Sequence, residues 1–565
     1  MSKTLVFFLF IGHFAFAQTL VLDKNIKQIA VEFQADYGSL SRFYMIQNSP
    51  ERRDRFQAFY KSYQSKLSDL DFNSLSQSDK VDYILIGRHL TNKLYELSVE
   101  QKEYEQLKQW AIPGEPIYAL EQKRRRGIQL DGQEVAKTIN DISKEIERAM
   151  KLIKADSINF SKPLANSASE IILGQKKALG SVFGFYKGYD PQFSWWVSKP
   201  FEKADSLFSD YASVLKKRID YTSVPQDDGS GIVGNPIGEA EVIRQLTHQM
   251  IPYGPEKLVE IANKEFAWCD QELLKASREM GFGDDCKAAQ EKVKQTFVLP
   301  GKQPEAMLQL YNESVDFLKE KDLLTIPPLS EETWRVSMIK PKNQLISPFF
   351  LGGELLQISY PTDDMQHEDK LMSMRGNNPH FSRATVHHEL IAGHHLQRYM
   401  NSRNNTHRFY GTPFWTEGWA LYWELLLWDL EFPTSPEDKI GMLFWRMHRC
   451  VRIIFSLNYH MGKWTPQQCI DFLVERVGHE RANAAGEVRR SFTGNYGPLY
   501  QIAYMIGGLQ FRALKEELVD SGKMTYKQYH DAVLRENAMP VEMVRALLTN
   551  QSIKKNFKTN WKFYE

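Results

Sequence analysis

Long stretches of helical periodicity limit, more than any other feature, the folds open to this 565-residue chain. Apolar residues recur three and four positions apart, with charged residues between them, over residues 79–97, 134–153 and 255–280. Residues 332–361 are the exception, because they show the alternating β-branched and aromatic pattern that is typical of strands. The sequence therefore predicts a mainly α-helical protein with one small β-sheet.

After the strand segment the helical pattern resumes. We predict a helix over residues 383–400, with Ser382 as its N-cap, and another over residues 415–430. The length allows several domains, but the pattern is better explained by one continuous fold of two lobes. We expect a helical N-terminal lobe of residues 18–330 and a C-terminal lobe of residues 331–565 that holds the small sheet and the chemistry.

Residues 1–17 have the features of a secretory signal peptide. Lys3 is followed by an apolar stretch, and Ala15-Phe16-Ala17 forms a small-x-small cleavage site before Gln18. The apolar stretch is shorter than the roughly 20 residues that span a bilayer. We therefore expect export to the periplasm or the medium after cleavage near Ala17-Gln18, with no stable membrane anchor.

Composition and charge say little about partners. Hydrophobic residues make up 42% and charged residues 25% of the chain, which is close to the average for globular proteins. Lysine and arginine number 71 against 70 acidic residues, so no net field favours nucleic acid as a partner. Four cysteines allow three disulfide pairings, and their spacing selects none of them.

The most informative segment is residues 385–397, where four of the chain's 14 histidines fall within nine residues. Imidazole is the commonest metal ligand among side chains, and a carboxylate beside a ligand can act as the general base of a hydrolytic zinc site. His388 and Glu389 fill the first two places of the His-Glu-x-x-His pattern of zinc proteases. Ala392 stands where that pattern has its second histidine.

Helix geometry shows what this departure requires. On a regular helix His388 and His394 lie roughly 120° apart around the axis, while His395 is about 10 Å further along it. Two nitrogens that share one zinc ion must come within roughly 3.5 Å of each other. Gly393 tolerates a break that turns His394 back toward His388. We expect a distorted helix here, with His394 or His395 as the second ligand.

A third ligand is predicted on the next helix. Glu417 and Glu424 are seven residues apart, on one face of an otherwise apolar and aromatic run. A carboxylate in such surroundings is costly unless it is paired or binds a cation. Glu417 is the candidate ligand, with a buried ion pair to Arg446 or Arg452 as the alternative. Glu424 suits a hydrogen bond to a ligand histidine better.

These motifs resemble those of a bacterial family, domain-of-unknown-function family 885, whose members carry His-Glu-x-x-Pro-Gly-His-His-x-Gln and then Glu-Gly-Trp-Ala-Leu-Tyr. This chain has His388-Glu389-Leu390-Ile391-Ala392-Gly393-His394-His395-Leu396-Gln397 and Glu417-Gly418-Trp419-Ala420-Leu421-Tyr422. Residues 500–507 also resemble a late motif of the family, so the resemblance extends over most of the mature chain. Ala392 replaces the usual proline, which leaves the bulge to Gly393 alone.

The resemblance implies a mainly helical, two-lobed, zincin-like peptidase fold related to the glutamate-zinc metallopeptidases, with the small sheet at the cleft. It also implies one Zn²⁺ per chain, held by His388, His394 and Glu417, with Glu389 as the general base. The expected function is that of an exported zinc metallopeptidase, of carboxypeptidase or oligopeptidase type, which cleaves peptide bonds by a zinc-activated water.

Further residues complete this hypothesis. Tyr504 is the first candidate to stabilise the oxyanion and His460 the second, since both lie in apolar helical sequence after the metal residues. Arg375 is a candidate to bind a substrate carboxylate, or else a solvated loop arginine. Residues 355–360 are a candidate edge strand for pairing with an extended peptide.

Two other functions are compatible with the sequence. One is a zinc hydrolase of another amide or an ester, because a zinc site with a glutamate base does not by itself select peptides. The other is a non-catalytic periplasmic binding protein with a degenerate metal site. A serine or cysteine nucleophile is disfavoured, because the chain has no Gly-x-Ser-x-Gly elbow and no cysteine with an obvious histidine partner.

Overall fold

The structure is a computed structural model, and it describes residues 25–111, 114–155, 158–220, 222, 226–344, 349–494 and 496–564. The predicted signal peptide, residues 1–17, lies outside this part of the chain.

Helices dominate the described residues, which confirms the mainly α prediction. Their α-helices are α1 (Ile26–Phe43), α2 (Pro50–Ser68), α3 (Gln77–Leu107), α4 (Gly114–Arg125), α5 (Gly132–Ala155), α6 (Lys162–Tyr186), α7 (Pro191–Lys217), α8 (Glu239–His248), α9 (Pro255–Glu279), α10 (Cys286–Lys294), α11 (Gln303–Glu320), α12 (Pro328–Thr333), α13 (Pro341–Gln344), α14 (His367–Gly376), α15 (Pro379–Glu389), α16 (His394–Asn401), α17 (Pro413–Asp429), α18 (Pro436–His460), α19 (Pro466–Val477), α20 (Arg481–Thr493), α21 (Tyr500–Lys515), α22 (Tyr526–Glu536) and α23 (Val541–Leu548). The strands are β1 (Arg335–Met338) and β2 (Leu355–Ile358).

Three of the helices around the candidate site, α15, α17 and α18, begin with a capping residue followed by proline. Asn378 caps α15 by accepting a hydrogen bond from the Phe381 amide at 3.0 Å, with Pro379 next in the chain. Proline at the first helical position costs no hydrogen bond and presets the backbone. The cap is therefore Asn378 rather than Ser382, and the helix begins at Pro379, four residues before the predicted start. The helix predicted at residues 415–430 is confirmed as α17.

Two hydrophobic cores hold these helices. The smaller core lies mainly within α4 to α7, and Ile46 and the residues just before α4 also belong to it. The larger core joins α1 to α3 with buried side chains from α8 onward, so the first helices of the chain pack with its C-terminal part. The lobe boundary at residue 330 stays a prediction.

The small sheet positions one segment beside the histidine-rich helices. β1 and β2 are parallel, with Arg335 opposite Leu355 and Met338 opposite Ile358. On the other side of β2, Leu351 and Gln357 exchange two backbone hydrogen bonds of 2.9 and 2.8 Å. The predicted edge strand at residues 355–360 is therefore not free at Gln357, because its backbone groups already bond within the chain.

Glycines allow α17 and α21 to pack closely beside the site. A Cβ atom on Gly418 of α17 would lie 2.5 Å from the Cα atom of Gly507 on α21. The two helices can approach this closely only because neither residue carries a side chain. α15, which carries the first part of the histidine-rich segment, packs against α17 and α18, and α18 also packs against α21.

Two further observations concern the chain as a whole. Cys269, Cys286, Cys450 and Cys469 form no disulfide bond. Among the described helices, none combines the length and the apolar character needed to cross a membrane.

Candidate metal centre

The histidine-rich segment is a broken helix, as predicted. α15 ends at Glu389 and α16 begins at His394. Between them the Gly393 amide donates a hydrogen bond to the His387 carbonyl at 3.0 Å, which bends the chain back on itself. A Cβ atom on Gly393 would collide with the carbonyl oxygen of His388. The break therefore requires glycine at this position.

The break brings three donor atoms together. Glu417 Oε2 lies 3.2 Å from His394 Nε2 and 3.6 Å from His388 Nε2. One donor atom from each of these residues lies within 4.8 Å of the others. Donors that share a tetrahedral zinc ion are roughly 3.3–3.5 Å apart, so the spacing suits one cation. Within the described part of the chain, buried Glu417 Oε2 has no aligned hydrogen-bond donor, which leaves it for such an ion.

The charges of these side chains depend on each other. Burial alone would raise the pKa of Glu417, but His394 and His388 hold it well below its usual range. Burial alone would lower the pKa of His388, but Glu417 and Glu424 raise it to about 9. Glu417 is thus a carboxylate that attracts positive charge into the space between the two imidazoles.

The structure distinguishes between the two candidates for second ligand. His395 Nδ1 lies 3.1 Å from the Gly353 carbonyl oxygen, and its Nε2 lies 2.8 Å from the Ser330 carbonyl oxygen. Both ring nitrogens of His395 therefore face backbone groups away from Glu417. His394 is the histidine that completes the cluster.

Glu424 and Arg449 fix the Nδ1 side of the His388 ring. His388 Nδ1 lies 2.7 Å from Glu424 Oε1, and Arg449 Nη2 donates to the same oxygen at 3.0 Å. Burial alone would raise the pKa of Glu424, but Arg449 and His388 lower it to about 2. A charged Glu424 fixes Nδ1 as the protonated nitrogen and leaves Nε2 for a metal.

The alternative partners of Glu417 are occupied elsewhere. Arg446 pairs with Glu265 at 2.6 Å, and Arg452 pairs with Glu487 at 2.8 Å. The buried ion pair considered for Glu417 is therefore absent from the described residues.

Glu389 lies against Gly352, a contact that the sequence pattern did not predict. Its side chain is buried, and the backbone of Gly352 packs directly on it. A Cβ atom on Gly352 would collide with the Glu389 carboxylate and lie 2.9 Å from the Glu389 Cα atom. Gly352 therefore sets the space in which the Glu389 carboxylate lies.

Hydrogen bonds from other residues of the two motifs connect the segment around the helix break to α17. The Trp419 indole donates to the Ala392 carbonyl at 2.9 Å. The Gln397 amide donates to the carbonyls of Trp415 and Thr416, both at 3.3 Å. These bonds fix Glu417 relative to His394, a role that spacing along the chain did not reveal.

Two tyrosines of α21 enter the site. The Tyr504 ring stacks on His388 with centroids 6.0 Å apart, so this predicted residue is brought to the candidate ligands. The Tyr500 hydroxyl donates a short hydrogen bond to Glu417 Oε1. Tyr500 was missed, although its four-residue spacing from Tyr504 places both side chains on one face of α21.

Two other predicted residues lie elsewhere. His460 is at the end of α18, about 16 Å along the axis from Arg449, where its ring packs against Phe492. Burial lowers the pKa of His460 to about 4. Arg375 pairs with both oxygens of Glu480 at 3.2 and 3.0 Å. Neither residue lines the cavity at the cluster, so the structure does not support a catalytic role for His460.

Two cavities meet at the cluster. An inner cavity of about 190 Å³ is bounded by the three candidate ligands, residues 349–352 and three buried arginines of α18 and α20. A second cavity of about 590 Å³ extends between α17, α3 and α8. Both are lined by Thr416, Glu417 and Tyr500, so these residues stand where the two spaces adjoin. A larger cavity of about 810 Å³, between α3, α8 and residues 555–559, contains none of the predicted site residues.

Comparison with solved structures shows the same fold in two proteins. One is a "putative lipoprotein of unknown function" from Shewanella oneidensis, with 18% identity and a TM-score of 0.66 over 93% of this chain and 99% of that one. The other is a "putative lipoprotein" from Colwellia psychrerythraea, with 15% identity and a TM-score of 0.56 over 93% of this chain and 98% of that one. These likenesses concern the fold.

The family comparison is more specific. No curated protein matches the chain. Residues 44–548 match the model of the family described as "Bacterial protein of unknown function (DUF885)", and this match contains both motifs that form the cluster. The chain therefore belongs to the bacterial family DUF885.

Proposed function

We propose that this protein is an exported zinc-dependent metallopeptidase that hydrolyses peptide bonds of oligopeptides. The observation that supports this most strongly is the convergence of His388, His394 and Glu417 on one point, next to Glu389 and at the meeting of two cavities. Two imidazoles and one carboxylate form a donor set that suits catalytic zinc, because three protein ligands leave one coordination position open.

When bound, a zinc ion supplies Lewis acidity, which polarises a carbonyl group and lowers the pKa of a water molecule toward neutrality. His388, His394 and Glu417 hold the ion, and Glu424 with Arg449 keeps the His388 ring in place. Glu389 accepts the proton of the attacking water and returns it to the leaving amine. The Tyr504 hydroxyl, which is protonated at neutral pH, donates to the oxyanion.

The cavities favour peptides over small esters. The outer cavity of about 590 Å³ lies within the range of roughly 300–1,000 Å³ that encloses small-molecule ligands. The inner cavity continues past Glu417 and Tyr500, so a substrate can extend on both sides of the cluster. A peptide substrate with residues on both sides of the cleaved bond occupies both the inner and the outer cavity.

Export is part of the proposal. Residues 1–17 have the pattern of a signal peptide, and the descriptions of both structural neighbours contain the words "putative lipoprotein", which name a class of exported proteins. In this chain Gln18, not cysteine, follows the predicted cleavage site, so we propose release without a lipid anchor.

The proposal is tested on the purified protein by elemental analysis and digestion of a panel of unmodified oligopeptides. We expect one zinc per chain and cleavage of peptides, loss of cleavage after chelation, and recovery on adding one equivalent of Zn²⁺. Cleavage of esters or other amides but not of peptides would favour the broader hydrolase. Much less than one zinc per chain, together with no hydrolysis, would indicate a binding protein.

A second prediction concerns Glu424. We expect Glu424→Gln to weaken zinc affinity about 10- to 100-fold, because the amide removes the charge that orients His388 and strengthens it as a donor. Competition with a chromophoric chelator measures this affinity. Glu265→Gln is the matched control, because Glu265 also pairs with a buried arginine of α18 but lies away from the cluster. Equal zinc affinities in the two variants would contradict the role of Glu424.

A further inference from the structure

Three buried arginines line the inner cavity beside the metal cluster. Arg449 and Arg452 come from α18 and Arg490 from α20, and their exposed fractions are 4%, 2% and 5%. A guanidinium group stays protonated in proteins, so all three carry a charge. Burying a charge is costly unless an opposite charge lies beside it.

The described residues provide two carboxylates for these three cations. Arg449 shares Glu424 with His388 at 3.0 Å. Arg452 lies 2.8 Å from Glu487, and Arg490 lies 3.7 Å from the other oxygen of the same residue. Glu389 and Glu417 together balance a divalent ion, so one arginine charge is left over.

The neighbouring histidines do not alter this balance. His448 Nδ1 lies 2.7 Å from His479 Nε2, so these two rings share one proton between them. Burial lowers the pKa of His448 well below its usual range and that of His479 to about 3. Both rings are therefore neutral, and the excess charge belongs to the arginines.

Unused donor atoms accompany the excess charge. Within the part of the chain that the structure describes, Arg449 Nε, Arg452 Nη1 and Arg490 Nε are buried without a hydrogen-bond acceptor. Buried donors of this kind normally have partners, and charged ones most of all. The arginines that line the inner cavity thus carry both excess charge and unused donors.

The arginines also lie close to the metal ligands. The guanidinium carbons of Arg452 and Arg449 lie 4.4 Å and 4.7 Å from the centroid of the Tyr504 ring. The same ring stacks on His388 at 6.0 Å. A single aromatic ring therefore separates the arginine cluster from a metal ligand, which limits the length of substrate that fits between them.

The size of the inner cavity indicates that it binds the end of a substrate peptide. Its volume of about 190 Å³ is below the roughly 300–1,000 Å³ of sites that enclose a whole small ligand. It therefore suits a short terminal part of a substrate, while the outer cavity of about 590 Å³ takes the rest.

We propose that Arg452 and Arg490, with Arg449 beside them, bind the free C-terminal carboxylate of the peptide, which makes the protein a carboxypeptidase. This inference rests on the proposed peptidase function. Two guanidinium groups match a carboxylate through paired hydrogen bonds, and the carboxylate neutralises the excess charge. Hydrolysis breaks the C–N bond before the last one or two residues. The water oxygen joins the carbonyl carbon, and the nitrogen gains a proton.

Binding tests the inference without hydrolysis. Zinc-loaded Glu389→Gln protein is titrated by calorimetry with one peptide in two forms, the free acid and the C-terminal amide. We expect the free acid to bind about 10- to 100-fold more tightly, as charged hydrogen bonds to a buried site imply. Affinities within twofold of each other would overturn the carboxylate site.

Hydrolysis by the unmodified protein separates the two proposals. Preferential cleavage of the free acid supports both. Equal cleavage of acid and amide keeps the peptidase function and overturns the carboxylate site. Preferential binding of the acid with no cleavage of either form overturns the peptidase function and keeps the carboxylate site.

Substitutions test whether these arginines recognise the C-terminal carboxylate of the substrate. We expect Arg452→Lys and Arg490→Lys each to lower the acid-to-amide ratio of kcat/KM about tenfold, because lysine keeps the charge but loses the planar pair of donors. Arg446→Lys is the matched control, a buried α18 arginine that pairs with Glu265 outside the cavity. Zinc content and thermal unfolding show that each variant is folded. An unchanged ratio in both cavity variants, or an equal fall in the control, would overturn the assignment.

Discussion

Glu389→Gln is expected to lower kcat for peptide hydrolysis by about 10²- to 10⁴-fold, the range that a general base contributes. Glutamine has the size of glutamate and fits under the Gly352 backbone, but its amide cannot accept the proton of the attacking water. Because Glu389 is outside the cluster of donor atoms, the variant should still bind one zinc per chain. Steady-state kinetics and elemental analysis of the same preparation measure both quantities.

A second variant and the zinc content decide whether a loss of activity in Glu389→Gln identifies Glu389 as the general base. Glu389→Asp keeps a carboxylate on a shorter side chain, so we expect it to retain more activity than the glutamine variant. Zinc-loaded Glu389→Gln protein with activity within tenfold of the unmodified protein would exclude Glu389 as the base. Loss of zinc together with activity would instead place Glu389 among the metal ligands.

The second large effect is expected at Gly507. Its Cβ atom in Gly507→Ala would collide with the Phe414 carbonyl oxygen and lie 2.7 Å from the Gly418 Cα atom. The added methyl group must push α21 away from α17, which costs about 1–3 kcal/mol of stability in a well-packed interior. Glu417 is on α17 and Tyr500 is on α21, so the same shift should weaken zinc binding. Thermal unfolding and zinc titration measure the two effects.

Gly87→Ala is the control for this variant. Gly87 lies inside α3, a helix of the same hydrophobic core, and a Cβ atom there would have no heavy atom within 4 Å. Alanine in an open helical position reduces the freedom of the unfolded chain and should raise stability by about 0.5–1 kcal/mol. We therefore expect opposite shifts in melting temperature. A fall of equal size in both variants would show that helix propensity, not the close contact, determines the effect.

Several elements of the fold followed from local patterns. α17 was predicted within two residues at its start and one at its end, because an apolar face and a capping residue specify a helix locally. The start of α15 was predicted four residues late, since both Ser382 and Asn378 are good caps and the sequence does not rank them. The break at Gly393 was predicted because the two histidines cannot share an ion on a regular helix.

Other expectations depended on packing between distant segments and were not met. The strand at residues 355–360 has a suitable pattern for an open edge, but Leu351 bonds to Gln357 there. His460 is on the same helix as Arg449 and Arg452, yet too far along the axis to reach the cavity. A sequence pattern assigns a residue to an element and a face, not to a position relative to other elements.

The sequence alone determined the helical class of this protein and the residues of the candidate metal centre, because His388, Glu389, Gly393 and His394 are close in the chain and Glu417 follows on the next long helix. The tertiary structure alone decided that His394 rather than His395 faces Glu417, that Tyr500 bonds to Glu417, and that Arg490 joins Arg449 and Arg452. The physical reason is that local spacing governs the first group, whereas helix packing brings the second group together from segments far apart in the chain.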